Sequence, residues 1–122
     1  LVEDRELTQK LVEAVLEKEH AKIEELFNSE NKPNVDAEFN GMPLIIYAAQ
    51  KKDWQTVNIL YDNFANLDAK IELSNWHLIH ECVLNAPDNV FNALIQYCDL
   101  NVRDRYGKRL IILIVFRQVN QK

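Results

Sequence analysis

Glycine and proline are scarce in this 122-residue chain, with 2 and 3 occurrences. So few residues able to make tight turns argue against a β-sandwich or barrel, and no GxGxxG or GxxxxGK[ST] offers a phosphate-cradling loop. Long apolar runs are missing too. The longest uninterrupted one is Leu110 to Phe116, well short of the roughly 18 residues a membrane-spanning helix needs, so no membrane partner is expected. Cysteine is limited to Cys82 and Cys98, set in apolar surroundings without a CxxC. They read as buried thiols of a reducing interior, the expected compartment being the cytoplasm. Positive charge is in deficit, 14 Lys+Arg against 19 Asp+Glu for a net charge of −5, and such a field repels phosphate backbones, so nucleic acid is not an expected partner. The chain opens at Leu1 with charged residues close behind and no apolar leader core, which reads as a piece of a longer protein.

What is present is a repeat. Asn34-Val35-Asp36-Ala37, Asn66-Leu67-Asp68-Ala69 and Asp99-Leu100-Asn101-Val102 share one pattern, and Val35, Leu67 and Leu100 lie 32 and 33 residues apart. Before each tetrad runs a short amphipathic stretch at helical spacing: Ile23 to Phe27, Val57 to Tyr61, Val90 to Ile95. After each come a polar stretch and a second apolar run, Pro43 to Ala49, His77 to Val83 and Arg109 to Val115. The spacing predicts helix, polar hairpin, helix, in a period of about 33 residues. Leu7 to Phe27 reads as a further helix pair that caps the N-terminal end.

This order resembles the ankyrin repeat. The closest local match is Asp99-Leu100-Asn101-Val102-Arg103-Asp104-Arg105-Tyr106-Gly107-Lys108-Arg109-Leu110, in which Arg109 and Leu110 stand where the family pattern has Thr and Pro. In the middle repeat Asn75-Trp76-His77-Leu78-Ile79-His80 occupies the place of Gly-x-Thr-Pro-Leu-His. The first hairpin, Glu38 to Leu44, is about two residues short, and the helix after it reads as slightly long. The resemblance implies an all-α, ankyrin-repeat-like solenoid of stacked helix-turn-helix units joined by polar hairpin loops. As one domain over 1–122, it divides into an N-terminal helical cap or first repeat at 1–33, repeats at 34–66 and 67–99, and a partial C-terminal repeat at 100–122.

One helix pair cannot bury its apolar face alone, so Leu26, Leu60 and Leu94 are expected to stack against neighbouring repeats. Pro87 suits the first turn of a second helix, where a missing amide donor costs nothing. The chain stops soon after Leu110 to Phe116, so that run lacks a covering helix. Further repeats, self-association through this run, or a fold-back of 117–122 would cover it.

Few residues suggest chemistry. His77, His80, Glu81 and Cys82 are the densest set of potential ligands, but Cys82 is expected to point to the core, and no metal, cofactor or catalytic residue is assigned. His80 takes the place of the family histidine, which implies a bond that ties neighbouring loops. The acidic pairs of the first helices are interleaved with Lys10, Lys18 and Lys22 and read as a solvated face. Trp54, at the turn between paired helices, reads as packing.

The hairpin tips are the informative surface, since they point away from the core and carry Phe39, Leu73, Trp76, Arg103, Arg105, Tyr106 and Lys108. Aromatics and Arg dominate interface energies, and Arg103, Arg105, Lys108 and Arg109 make a local basic cluster suited to an acidic partner segment. Together with the ankyrin resemblance this implies a non-enzymatic module that binds a protein partner through its hairpin tips and concave helix face. The alternative is a targeting array of a larger enzyme or effector whose catalysis lies outside this chain.

Overall fold

The computed structural model describes residues 2–103 together with Ile114, Arg117 and Gln118. The spacing of Leu7, Leu11, Val12 and Val15 winds the start of the chain into α1 (Val2–Leu16), which buries Leu11, Ala14 and Val15. Then α2 (His20–Asn28) returns with Ile23, Leu26 and Phe27 facing inward. Two units of the same design follow. The first is β1 (Glu38–Phe39), β2 (Met42–Pro43), α3 (Leu44–Gln50) and α4 (Trp54–Asp62). The second is β3 (Lys70–Ile71), β4 (Trp76–His77), α5 (Leu78–Asn85) and α6 (Asp88–Ile95). The described chain is therefore mainly α.

Each hairpin is antiparallel, pairing Phe39 with Met42 in the first and Ile71 with Trp76 in the second. The helices stack in chain order: α3 packs between α1 and α5, and α4 packs on α2. Leu44, Ile46, Leu60, Leu78, Ile79 and Leu94 are sealed from solvent between these layers, each contributing about 2 kcal/mol of burial. Ile114, from the apolar run 110–116, packs partly buried against the same core, and the rest of that run lies outside the described residues.

The tetrads account for the period. In each, the first side chain accepts the amide two residues on: Asp36 N to Asn34 at 2.9 Å, Asp68 N to Asn66 at 3.0 Å, and Asn101 N to Asp99 at 2.9 Å. Each tetrad also reaches back one layer. Asn34 N donates to Thr8 Oγ1 at 3.0 Å, Asn66 N to Asp36 Oδ1 at 2.7 Å, and Asp99 N to Asp68 Oδ1 at 2.9 Å. A short polar side chain is required at both places, one to shape the turn and one to hold the next turn.

Two local expectations differ from the structure. The helix after the first hairpin is not extended: α3 has 7 residues and α5 has 8, whereas α4 has 9 against 8 for α6. The residue that offsets the short hairpin sits at the end of α4. Pro87 is the cap ahead of α6 and not part of its first turn. Its ψ of 156° is extended while its carbonyl accepts from Phe91 N at 2.9 Å, and its fixed φ suits that position as well.

Candidate functional site

The two hairpins are built differently at their ends. Asn40 and Gly41 both have positive φ, 53° and 78°, which closes the first hairpin in two residues with the Asn-Gly pairing that such mirror-image turns favour. Phe39 beside it is half-buried, its ring edge-on to Tyr47 at 6.0 Å and 83°. Four residues close the second hairpin, with Asn75 at φ 57° and its amide donating to Ile71 O at 2.8 Å. Leu73 at that tip is 97% exposed.

Trp76 turns back toward its own helix. Its indole stacks on His80 at 4.9 Å, and its Nε1 donates to Glu81 Oε1 at 3.1 Å. The buried Glu81 also accepts from Asn85 Nδ2. His80 Nδ1 accepts the His77 amide at 2.9 Å, so this bond caps the start of α5 within its own repeat. Loops are tied to one another by the tetrad carboxylates and by Asn75, whose Nδ2 donates to Arg103 O at 2.7 Å. Leu73 and exposed Arg103 thus belong to tips joined through Asn75, Phe39 lies on the separate first hairpin, and Arg105, Tyr106 and Lys108 lie outside the described residues.

Between the hairpins runs a cleft of about 240 Å³ lined by Asp36, Glu38, Asp68, Glu72 and Lys70, among others. Its charge is negative, opposite to the basic cluster read around Arg103. A wider hollow of about 590 Å³ lies along α1 and α2, where Lys10, Glu19, Lys22 and Glu25 alternate in sign around His20.

His20 opens a part-buried polar network between the first two helix pairs that sequence reasoning missed. Its Nε2 bonds Asp53 Oδ1 at 2.8 Å, and Asp53 accepts the Thr56 hydroxyl at 2.6 Å and the Thr56 amide at 3.3 Å. Burial alone would raise the Asp53 carboxyl, but the bonds from Thr56 and His20 outweigh it and hold the group below its usual range. The signal for it was the spacing: His20 and Asp53 stand one period apart. Trp54, beside Asp53, is half-buried against the core, as packing requires.

A second missed residue is Arg117. Its Nη1 donates to Cys82 O at 3.1 Å and Val83 O at 3.0 Å, its Nη2 to Asp88 Oδ1 at 2.8 Å, and the guanidinium lies 4.4 Å from the Phe91 ring centre. A third is Phe64, an aromatic held at φ 70° just past α4 and 91% exposed. The left-handed region at a helix end favours Gly or Asn, and a side chain there costs about 1 kcal/mol.

The arrangement offers little for covalent chemistry. Burial pushes the Cys82 and Cys98 thiols up to about 12, so both hold their protons at neutral pH. Among the described residues no group of three or more His, Cys, Asp or Glu is placed to hold a metal ion. None of the described helices is long and apolar enough to cross a membrane. No family model matches the chain, and no curated protein matches it.

Proposed function

We propose that the chain is a protein-interaction module, an ankyrin-like solenoid whose hairpin tips and concave helix face take up a protein partner in the cytoplasm. The tetrad ladder, repeated at 32 and 33 residues with the same turn and the same reach to the preceding layer, supports the repeat array. Leu73 carries the binding reading. A leucine at 97% exposure serves no core, and it stands on a tip anchored by His77, His80 and the Asn75 bond to Arg103. An apolar side chain presented on a rigid loop loses little entropy when it is covered. This reading assigns the chain no reaction of its own.

The test compares two baits in affinity capture from a cell lysate: the intact chain and a Leu73→Ser/Arg103→Glu variant with unchanged helical circular dichroism. Proteins held by the first and lost by the second support the tips as the contact surface. The same proteins on both baits, or none on either, overturn it.

A further inference from the structure

The guanidinium of Arg117 is enclosed by one short stretch of chain, Cys82 to Phe91, that closes α5 and opens α6. Two carbonyls face it, Cys82 O at 3.1 Å and Val83 O at 3.0 Å, both reached by Nη1. Asp88 Oδ1 accepts from Nη2 at 2.8 Å, and the central carbon lies over the Phe91 ring, 4.4 Å from its centre. Asp88 and Phe91 stand three residues apart on α6 and so share a face. Only 8% of the Arg117 side chain is exposed.

The enclosure is shaped by contacts that do not involve Arg117. Cys82, Val83, Ala86 and Val90 are buried in the core. Ala86 N donates to Cys82 O and Phe91 N to Pro87 O, both at 2.9 Å. The Val83 carbonyl sits at the C-terminal end of α5, where the helix carries partial negative charge. The residue four further on, whose amide would continue the ladder, is Pro87, which has none. Local packing therefore presents a preformed set of acceptors to a cation.

The ligand chemistry follows from this geometry. One nitrogen divides between two carbonyls, another meets a carboxylate, and the plane between them faces an aromatic ring. A guanidinium is planar, keeps its charge and carries five donors in a fixed fork, whereas an ammonium is a compact point charge that reaches fewer of these groups at once. The occupant that fits is an arginine side chain. Arg117, which fills the place here, comes from 29 to 35 residues away in the chain.

We propose that the α5–α6 turn is an arginine receptor, occupied in cis by Arg117 and able to take in its place an arginine side chain borne by a segment of a partner protein. The partner rests on the reading of the chain as a protein-interaction module, while the receptor itself involves no hairpin tip.

The probe is the peptide acetyl-Gly-Arg-Gly-amide, with acetyl-Gly-Lys-Gly-amide as control, titrated at constant salt into the isotope-labelled whole chain and into Arg117→Ala, and followed by NMR. Saturable binding to Arg117→Ala is expected, with amide shifts centred on residues 82–91. It should be about tenfold or more tighter than binding to the intact chain, where Arg117 competes, and than binding of the lysine peptide. Asp88→Asn and Phe91→Leu, each added to Arg117→Ala, are expected to weaken it about threefold or more. If Arg117→Ala is unfolded alone, the same site is read as recovery of helical circular dichroism with the arginine peptide and not with the lysine peptide. Neither saturable binding nor recovery, an equal response to both peptides, equal binding to the intact chain, or indifference to Asp88 and Phe91 overturns the proposal. Leu73 and Arg103 take no part in this assay, so its failure leaves the reading of the tips to their own lysate capture.

Discussion

The α3–α4 pair and the α5–α6 pair hold equivalent places in the repeat, yet their turns are closed by different donors. After α3 the chain closes on itself: Lys52, left-handed at φ 58°, donates its amide to Ala49 O at 3.0 Å, and Asp53 N donates to Ala48 O at 2.9 Å. One repeat later Ala48 and Ala49 become Cys82 and Val83, and Asp53 becomes Pro87, which has no amide to give. Ala86 N reaches Cys82 O at 2.9 Å, and the Arg117 guanidinium supplies the other donors to Cys82 O and Val83 O. A side chain from the far end of the chain does in one repeat what backbone amides do in the other. The hairpins differ in parallel, the first held by a two-residue turn and the Phe39–Tyr47 contact, the second by His77, His80, Trp76 and Glu81.

Removing the substitute donor gives the largest expected effect. Arg117→Ala leaves the Val83 carbonyl without this donor, and bonds to a charged donor are worth about 1.5–3 kcal/mol, so a loss of about 3 kcal/mol is expected in urea unfolding. The ion pair with Asp88 adds little, because that carboxylate is 73% exposed. Pro87→Ala, which restores an amide, should recover about 1 kcal/mol of the Arg117→Ala loss while changing the intact chain much less. Equal effects of Pro87→Ala in both backgrounds would refute the substitution.

The turn before α4 is sharpened by Asp53→Asn, which keeps an N-cap acceptor but loses the carboxylate's contact with His20 and one of the two oxygens that accept from Thr56, with an expected cost of about 1 kcal/mol at neutral pH. The carboxyl is held below its usual range in the fold, so its contribution is present above the ordinary carboxylate pKa of about 4 and is lost as the pH falls through the lower folded value. The gap between Asp53→Asn and the intact chain should therefore narrow in acid. A gap of constant size from neutral pH down to pH 3 would show that the charge of Asp53 carries none of it.

The sequence reaches some of this and not the rest, for identifiable reasons. The tetrads were legible because the first side chain of each shapes its own turn and the third holds the next tetrad, which forces Asn or Asp to recur at both places with the period. The helix pairs were legible from apolar spacing, and the shortness of the first hairpin from its length. Arg117 was not, because its partners are main-chain carbonyls 34 and 35 residues away, which leave no mark on composition. Trp76 read as a tip residue because its polar partner, Glu81, belongs to the following helix. Phe64 was invisible because a left-handed φ at a non-glycine residue has no sequence signature.

The smallest expected effects separate the two hairpin turns. Gly41 has open space around its missing side chain, so Gly41→Ala meets no atom, and its cost is backbone strain at φ 78° alone, about 1 kcal/mol. Asn75→Gly goes the other way: glycine accepts φ 57° freely, but the exposed bond to Arg103 O is lost, for a net change within about 0.5 kcal/mol. Urea midpoints of the two variants measure the contrast. If Asn75→Gly proves the costlier change, the second hairpin depends on its tie to the Arg103 loop more than on its own turn, and the rigidity ascribed to the Leu73 tip has its source in the next layer.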